Sequence, residues 1–157
     1  MKILSIDQST TCTGYALFEN NELISCNKIK PDGSDFIIKL INVLSSLENI
    51  IQKEKPDKIV FENIQNQASK NIETFKKLSG LFYCLTLLCE KYQIDYDTYY
   101  ASEWRKIIGF KGRMARSELK QKSKALIKDK YGFEANSDIC EAILIGLADI
   151  KVNKCAF

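Results

Sequence analysis

Lys2-Ile3-Leu4-Ser5-Ile6-Asp7-Gln8-Ser9-Thr10-Thr11-Cys12-Thr13-Gly14-Tyr15-Ala16-Leu17-Phe18 is the stretch whose reading decides the fold. A short apolar run, residues 2–7, is stopped by an acid, and after a polar loop a second strand-like run follows over Gly14–Phe18. Glu22–Ile29 supplies a third, with Asn20-Asn21 between the two. Turn residues at Thr13-Gly14 and Asn20-Asn21 leave room only for tight connections, so the spacing predicts three consecutive antiparallel strands.

Working outward, Pro31-Asp32-Gly33-Ser34 reads as a loop, and apolar residues at 37, 40, 41, 44, 47 and 51 recur at helical intervals. Pro56 ends that helix, and Asp57–Glu62 reads as a buried strand, giving the unit βαβ character. A polar stretch, Asn63–Asn71, leads into a helix over 72–92. One stripe of it carries Ile72, Phe75, Leu78, Phe82, Leu85 and Cys89, widened by Leu81 and Leu88. So apolar a helix should pack on the sheet and could also supply a subunit contact. Asp95–Tyr99 offers a fifth strand, and Ala101–Ile108, Ser117–Lys130 and Asp138–Val152 read as helices. The prediction is an α/β chain, βββαβαβααα, with a five-stranded mixed sheet flanked by helices in one domain over 1–157. No internal repeat or long linker divides it.

Composition narrows the chemistry. With 45% apolar and 27% charged residues, the chain is an ordinary globular protein rather than a disordered one. The net charge is only +3, yet residues 105–130 hold ten Lys/Arg against Glu118 and Asp129, a local +8 that leaves the remainder at −5. Such asymmetry suits a polyanion partner, although a solvated lysine-rich helix has the same composition. Six cysteines show no C-x-x-C pair, which fits reduced thiols of a cytoplasmic protein. Asp7 interrupts the first apolar run too early for a signal peptide, and no run reaches the ~18–20 residues of a membrane span. Lys154-Cys155-Ala156-Phe157 has the outline of a prenylation box, a pattern common by chance. Histidine is absent, which removes imidazole as base, nucleophile or metal ligand and leaves acid–base work to carboxylates, Lys, Tyr or metal-bound water.

The carboxylates fall at mechanically meaningful places. Asp7 ends the first strand, Glu62 ends the fourth, and Asp138 and Glu141 share one face at the start of the last helix. Strand ends of an open α/β sheet converge on a common crevice. The helix that carries the last two acids is otherwise apolar from Ile139 to Leu147 save those acids, and a buried unpaired carboxylate is costly. Asp138 as N-cap with Glu141 as its capping-box partner is the purely structural alternative. Crowded together, the four would raise one another's pKa unless a hard cation neutralised them. Oxygen ligands without His favour Mg²⁺ or Mn²⁺, and two such ions can hydrolyse a phosphodiester. In that arrangement Asp7 would bridge, with Glu62 on one ion and Asp138 and Glu141 on the other.

Asp7–Ala16, Ile59-Val60-Phe61-Glu62 and Ser137-Asp138-Ile139-Cys140-Glu141-Ala142 together resemble the RuvC family of Holliday junction resolvases, and within it the phage-type branch. Trp104-Arg105-Lys106-Ile107-Ile108-Gly109 with its basic continuation extends the resemblance over nearly the whole chain. It implies an RNase H-like fold, a homodimer, Mg²⁺-dependent cleavage, and paired nicks at a four-way junction or other branched DNA. Asp7, Glu62, Asp138 and Glu141 would then be the metal-binding catalytic acids, with Arg105 and Arg116 near the family's basic DNA contacts. The chain departs from the bacterial pattern in having Glu at 141 where that pattern has Asp, and in lacking a His that some members place shortly afterwards. It also lacks the aromatic that follows the second acid, here Asn63-Ile64-Gln65-Asn66-Gln67. Base stacking is worth ~1–3 kcal/mol, so its loss predicts relaxed sequence selectivity.

Gly109–Arg116 combines glycines, cations and Phe110 in a composition suited to following a phosphate backbone. Candidate nucleic-acid contacts are Arg105, Lys106, Lys111, Arg113, Arg116, Lys120 and Gln65. Lys120, Lys124 and Lys128 share a helix face, and Trp104 reads as a packing residue rather than a base stacker. Rival readings are a sugar-kinase or actin-like ATPase half, opposed by the short length, a non-catalytic binder of branched DNA, and an RNase H-like RNA nuclease.

Overall fold

The computed structural model describes residues 1–65 and 71–154. Asn66 and Gln67 of the loop after Glu62, and Cys155–Phe157 of the prenylation-like tail, lie outside the described residues. The elements are β1 (Lys2–Asp7), β2 (Thr13–Glu19), β3 (Glu22–Ile29), α1 (Phe36–Glu54), β4 (Lys58–Glu62), α2 (Ile72–Tyr92), β5 (Asp95–Tyr99), α3 (Ala101–Ile108), α4 (Arg116–Tyr131) and α5 (Ser137–Lys154). They form one sheet in the order β3-β2-β1-β4-β5. β1 pairs antiparallel with β2 and parallel with β4, while β3 and β5 complete the antiparallel and parallel sides. The β2–β3 turn places Asn20 and Asn21 at φ 51° and 70°, the left-handed pair a two-residue hairpin needs and Asn tolerates.

Strand alternation sorts the two layers. Leu4, Ile6, Ile59 and Phe61 point to one face, where they pack with Val43, Leu47 and Ile51 of α1 and Leu81, Leu85 and Leu88 of α2. Ile3, Ala16, Phe18 and Val60 point to the other, under Trp104 of α3, Ile127 of α4 and Ile143 and Leu144 of α5. Each such side chain taken out of water contributes roughly 1.5–3 kcal/mol, so β1 at the sheet centre is fastened from both sides. Helix ends follow local chemistry. Asp35 caps α1 by accepting from the Ile37 N–H at 2.7 Å, and Lys55, left-handed, ends it just before Pro56.

α5 lies unusually close to the sheet. A Cβ on Gly14 of β2 would sit 2.1 Å from the Asp138 carbonyl oxygen, and one on Gly146 would sit 2.4 Å from the Phe18 ring. A glycine on each side of this seam, at two separate points, lets helix and sheet come this close. The Ser5 hydroxyl then donates to the Ala142 carbonyl at 2.8 Å. Farther along, buried Asp149 accepts from Lys58 at 2.7 Å and from Tyr99 at 2.9 Å, and Lys58 also reaches Asp97 at 2.6 Å. Burial alone would lower the Lys58 ammonium pKa, but hydrogen bonds to Asp149 and Asp97 raise it overall.

Candidate active site

β1 and β4 run parallel with Ile6 beside Phe61, so Asp7 and Glu62 follow as neighbours at the two strand ends. Both fall on the α5 side, because Asp7 continues the parity of Ile3 and Ser5, and Glu62 that of Lys58 and Val60. Asp7 is also opposite Gly14 on β2, the glycine on which the Asp138 peptide rests. Two strand ends and a helix start therefore meet at one point. Asp7, Glu62, Asp138 and Glu141 line a single cleft of about 780 Å³.

The α5 cap differs from the capping-box alternative. The Asn136 side chain accepts from the Ile139 N–H at 2.9 Å, so Asn136 performs the capping that Asp138 could have performed. The Asp138 carboxylate instead accepts from the Asn136 amide at 3.2 Å. Glu62 is held at two points. The Gln8 side chain accepts from the Glu62 backbone N–H at 3.2 Å and its amide donates to the Glu62 carbonyl, extending the β1–β4 ladder by one side-chain rung. Trp104 donates its indole N–H to Glu62 Oε2 at 3.0 Å. The next residue, Arg105, stacks its guanidinium 4.7 Å from the Trp104 ring centroid and lies 3.9 Å from the Glu141 carboxylate.

Burial pushes the Asp7 carboxyl well above its ordinary range, reinforced by Glu141, Glu62 and Asp138 and opposed by Arg105. Burial likewise raises Glu141, with Arg105 and Lys120 opposing while Glu62 and Asp138 add to the rise. Burial thus makes the charged form of these acids costly, and an all-oxygen donor set without His suits a hard divalent cation. Among the described residues no three acidic or thiol side chains converge into one coordination shell. The reason is visible in the contacts: Glu62 turns to Trp104, Glu141 to Arg105 and Asp138 to Asn136. A cation would compete with Arg105 for Glu141 and with Asn136 for Asp138, whereas Trp104 engages Glu62 through Oε2 alone.

Of the candidate nucleic-acid contacts, Arg105, Arg116, Lys120 and Gln65 line the cleft. Lys106, Lys111 and Arg113 are exposed and are not among its lining residues. Phe110 is 8% exposed with the Lys122 ammonium 4.9 Å above its ring, so the one aromatic of the glycine-rich segment anchors that segment instead of facing a ligand. Trp104 is fully buried and packs near Phe110, as a core residue should. The sequence reading missed Gln8, the Trp104 bond to Glu62, and Lys77, which reaches the cleft from α2. Only the position of Gln8, directly after a strand-ending acid, offered a signal.

No model of a protein family matches the chain. It is 23% identical over 121 residues to crossover junction endodeoxyribonuclease RuvC of Nitratidesulfovibrio vulgaris (strain DP4), covering 74% of this chain and 72% of that one. The same identity and coverage hold for RuvC of Oleidesulfovibrio alaskensis. Among solved structures, T. thermophilus RuvC in complex with Holliday junction substrate superposes with a TM-score of 0.78 at 12% identity, over 99% of this chain and 96% of that chain. Fowlpox virus resolvase in complex with substrate Holliday junction DNA gives 0.62 at 20% identity, over 98% and 99%. A central strand shared between an antiparallel and a parallel half is the fold that these superpositions share with the chain. In sequence the chain is similar to the RuvC Holliday junction resolvases, and it shares their RNase H-like fold.

Proposed function

We propose that this protein is a metal-dependent, structure-selective endodeoxyribonuclease that resolves Holliday junctions, and other branched DNA such as forks, by paired nicks with relaxed sequence selectivity. The observation that carries the reading is the convergence of Asp7, Glu62, Asp138 and Glu141 in one cleft that Arg105, Arg116 and Lys120 also line. Two Mg²⁺ or Mn²⁺ ions bound by these acids would activate the attacking water and stabilise the leaving oxygen. Asp7, between Glu62 and the start of α5, is the carboxylate best placed to serve both. Arg116 and Lys120 open α4 on the cleft wall and would hold the phosphodiester backbone while Arg105 offsets its charge. Gln65 and Ile64 stand where the bacterial relatives place an aromatic, which supports reading a branch by shape. Free thiols at Cys12, Cys26, Cys84, Cys89 and Cys140 suit a reducing intracellular setting, and no helix among the described residues is long and apolar enough to cross a membrane.

Cutting two strands symmetrically calls for a two-fold pair of sites, hence a homodimer. On α2, Ile72, Tyr83 and Leu87 are 69%, 66% and 67% exposed and fall on one stripe, our candidate seam. The engagement of three carboxylates by protein donors favours one second reading, a junction binder that does not cut. Labelled junction, fork, duplex and RNA–DNA hybrid, each incubated with Mg²⁺, Mn²⁺ or EDTA, decide between the two. Symmetric nicks in the junction with either ion and none with EDTA are expected. Tight junction binding without nicks under any ion would establish the binder, and preferred cutting of the hybrid an RNA nuclease.

A further inference from the structure

We propose that Trp104 is a positioning residue for the cleavage reaction, whose indole N–H sets the direction in which the Glu62 carboxylate meets its cation. The inference rests on the reading of Glu62 as a metal ligand. Gln8 pairs with both the N–H and the carbonyl of Glu62, so the backbone of Glu62 is fastened to β1 independently of its side chain. What remains to be fixed is the carboxylate, which bonds through Oε2 to the indole N–H of Trp104 at 3.0 Å. Trp104 is itself immobile: it is fully buried, packed in the core with Phe110 and Ile127, and capped by the Arg105 guanidinium.

The indole N–H is a donor only and takes Oε2, which leaves the second oxygen, Oε1, without a hydrogen-bond partner among the described residues. A ligand oriented in this way by an outer partner binds its cation more tightly, and removing such a partner typically weakens metal affinity ~10–100-fold. Trp104 is also the single tryptophan of the chain. Its emission therefore reports on the surroundings of the carboxylate it touches, with no other indole to obscure it.

The test uses the full chain, with Mg²⁺ as the probe because that ion does not itself quench indole. Calorimetry should show Trp104→Phe binding Mg²⁺ ~10–100-fold more weakly than the native protein, with cleavage recovering toward high Mg²⁺. Since Phe leaves space in the core, a second protein carries at position 104 the benzothiophene analogue of tryptophan, which keeps the bicyclic shape and lacks the N–H. It should show the same loss while melting like the native protein. Native emission should change saturably with Mg²⁺, and Glu62→Gln should abolish that change. Unaltered affinity in the analogue, or native emission indifferent to bound Mg²⁺, overturns the positioning role while leaving junction cleavage intact. A native protein that neither binds the ion nor cuts junctions overturns the function itself and this role with it.

Discussion

At Asp7, burial and three neighbouring carboxylates hold the folded-state pKa well above its ordinary value. A raised carboxyl pKa means that the folded protein keeps a proton which the unfolded chain releases near pH 4. The associated stability is present in full below that pH and is lost as pH rises through the folded-state value. At neutral pH the metal-free protein is consequently strained at this position, a usual condition of a site built to bind charge. Asp7→Asn should therefore stabilise the metal-free fold by about 0.5–2 kcal/mol at pH 7.5, with the difference closing as pH falls toward about 4. Added Mg²⁺ should raise the melting temperature of the native protein only, and the variant should not cleave. Thermal melts across pH with EDTA or Mg²⁺ measure all of this, and a variant less stable than native in EDTA would contradict the account.

The helix that matters most is α5, because its start delivers Asp138 and Glu141 and its body is almost wholly buried. Its closeness to β2 depends on Gly14, where an added Cβ would collide with the backbone of Asp138. Backbone cannot rotate aside, so Gly14→Ala should push the helix start away from Asp7, costing about 1–3 kcal/mol and most of the cleavage rate. Gly80 is the control: its Cβ would make an ordinary 3.5 Å contact with Phe36 in the interior of α2. Gly80→Ala should stabilise by about 0.5–1 kcal/mol, and urea titrations of the pair should move in opposite directions. The far half of α5 is fastened by Asp149, fully buried and paired with Lys58, itself only 13% exposed. Asp149→Ala strands that ammonium with Asp97 alone and should cost about 3 kcal/mol, read from the same titrations. Burial first, then Asp149, also pushes the Tyr99 phenol upward, so the phenol keeps its proton near neutral pH.

Across the whole molecule, the local +8 of residues 105–130 divides into cations that line the cleft and cations that face elsewhere. Counterion release makes DNA affinity depend on the number of phosphates contacted. For a pair of subunits contacting six or more phosphates, junction affinity should fall by about 10³-fold between 50 and 200 mM salt. Arg116→Ala and Lys120→Ala should each reduce the slope by about one, whereas Lys106→Ala, exposed outside the cleft, should alter it less. A charge on the α2 stripe tests assembly: Leu87→Glu should give monomers by light scattering that nick one strand without the symmetric partner nick. Dimers of undiminished stability in that variant would place the seam elsewhere.

Much of this architecture is local and so legible in the chain. Short apolar runs closed by an acid in Lys2–Asp7 and Lys58–Glu62 encode strands, and the helical stripes of 37–51 and 72–92 encode helices. The absence of His and the placement of four acids at element ends restrict the chemistry to oxygen ligands. What only the tertiary structure decided are relations between residues far apart in sequence. These include Asn136 rather than Asp138 as the α5 cap, Phe110 turned inward, Lys106, Lys111 and Arg113 outside the cleft lining, and Trp104 bonded to Glu62. The physical reason is that periodicity reports how one element meets water. Which side chain it meets across the layer is set by how closely two backbones approach, here by the hydrogen atoms that stand for side chains at Gly14 and Gly146.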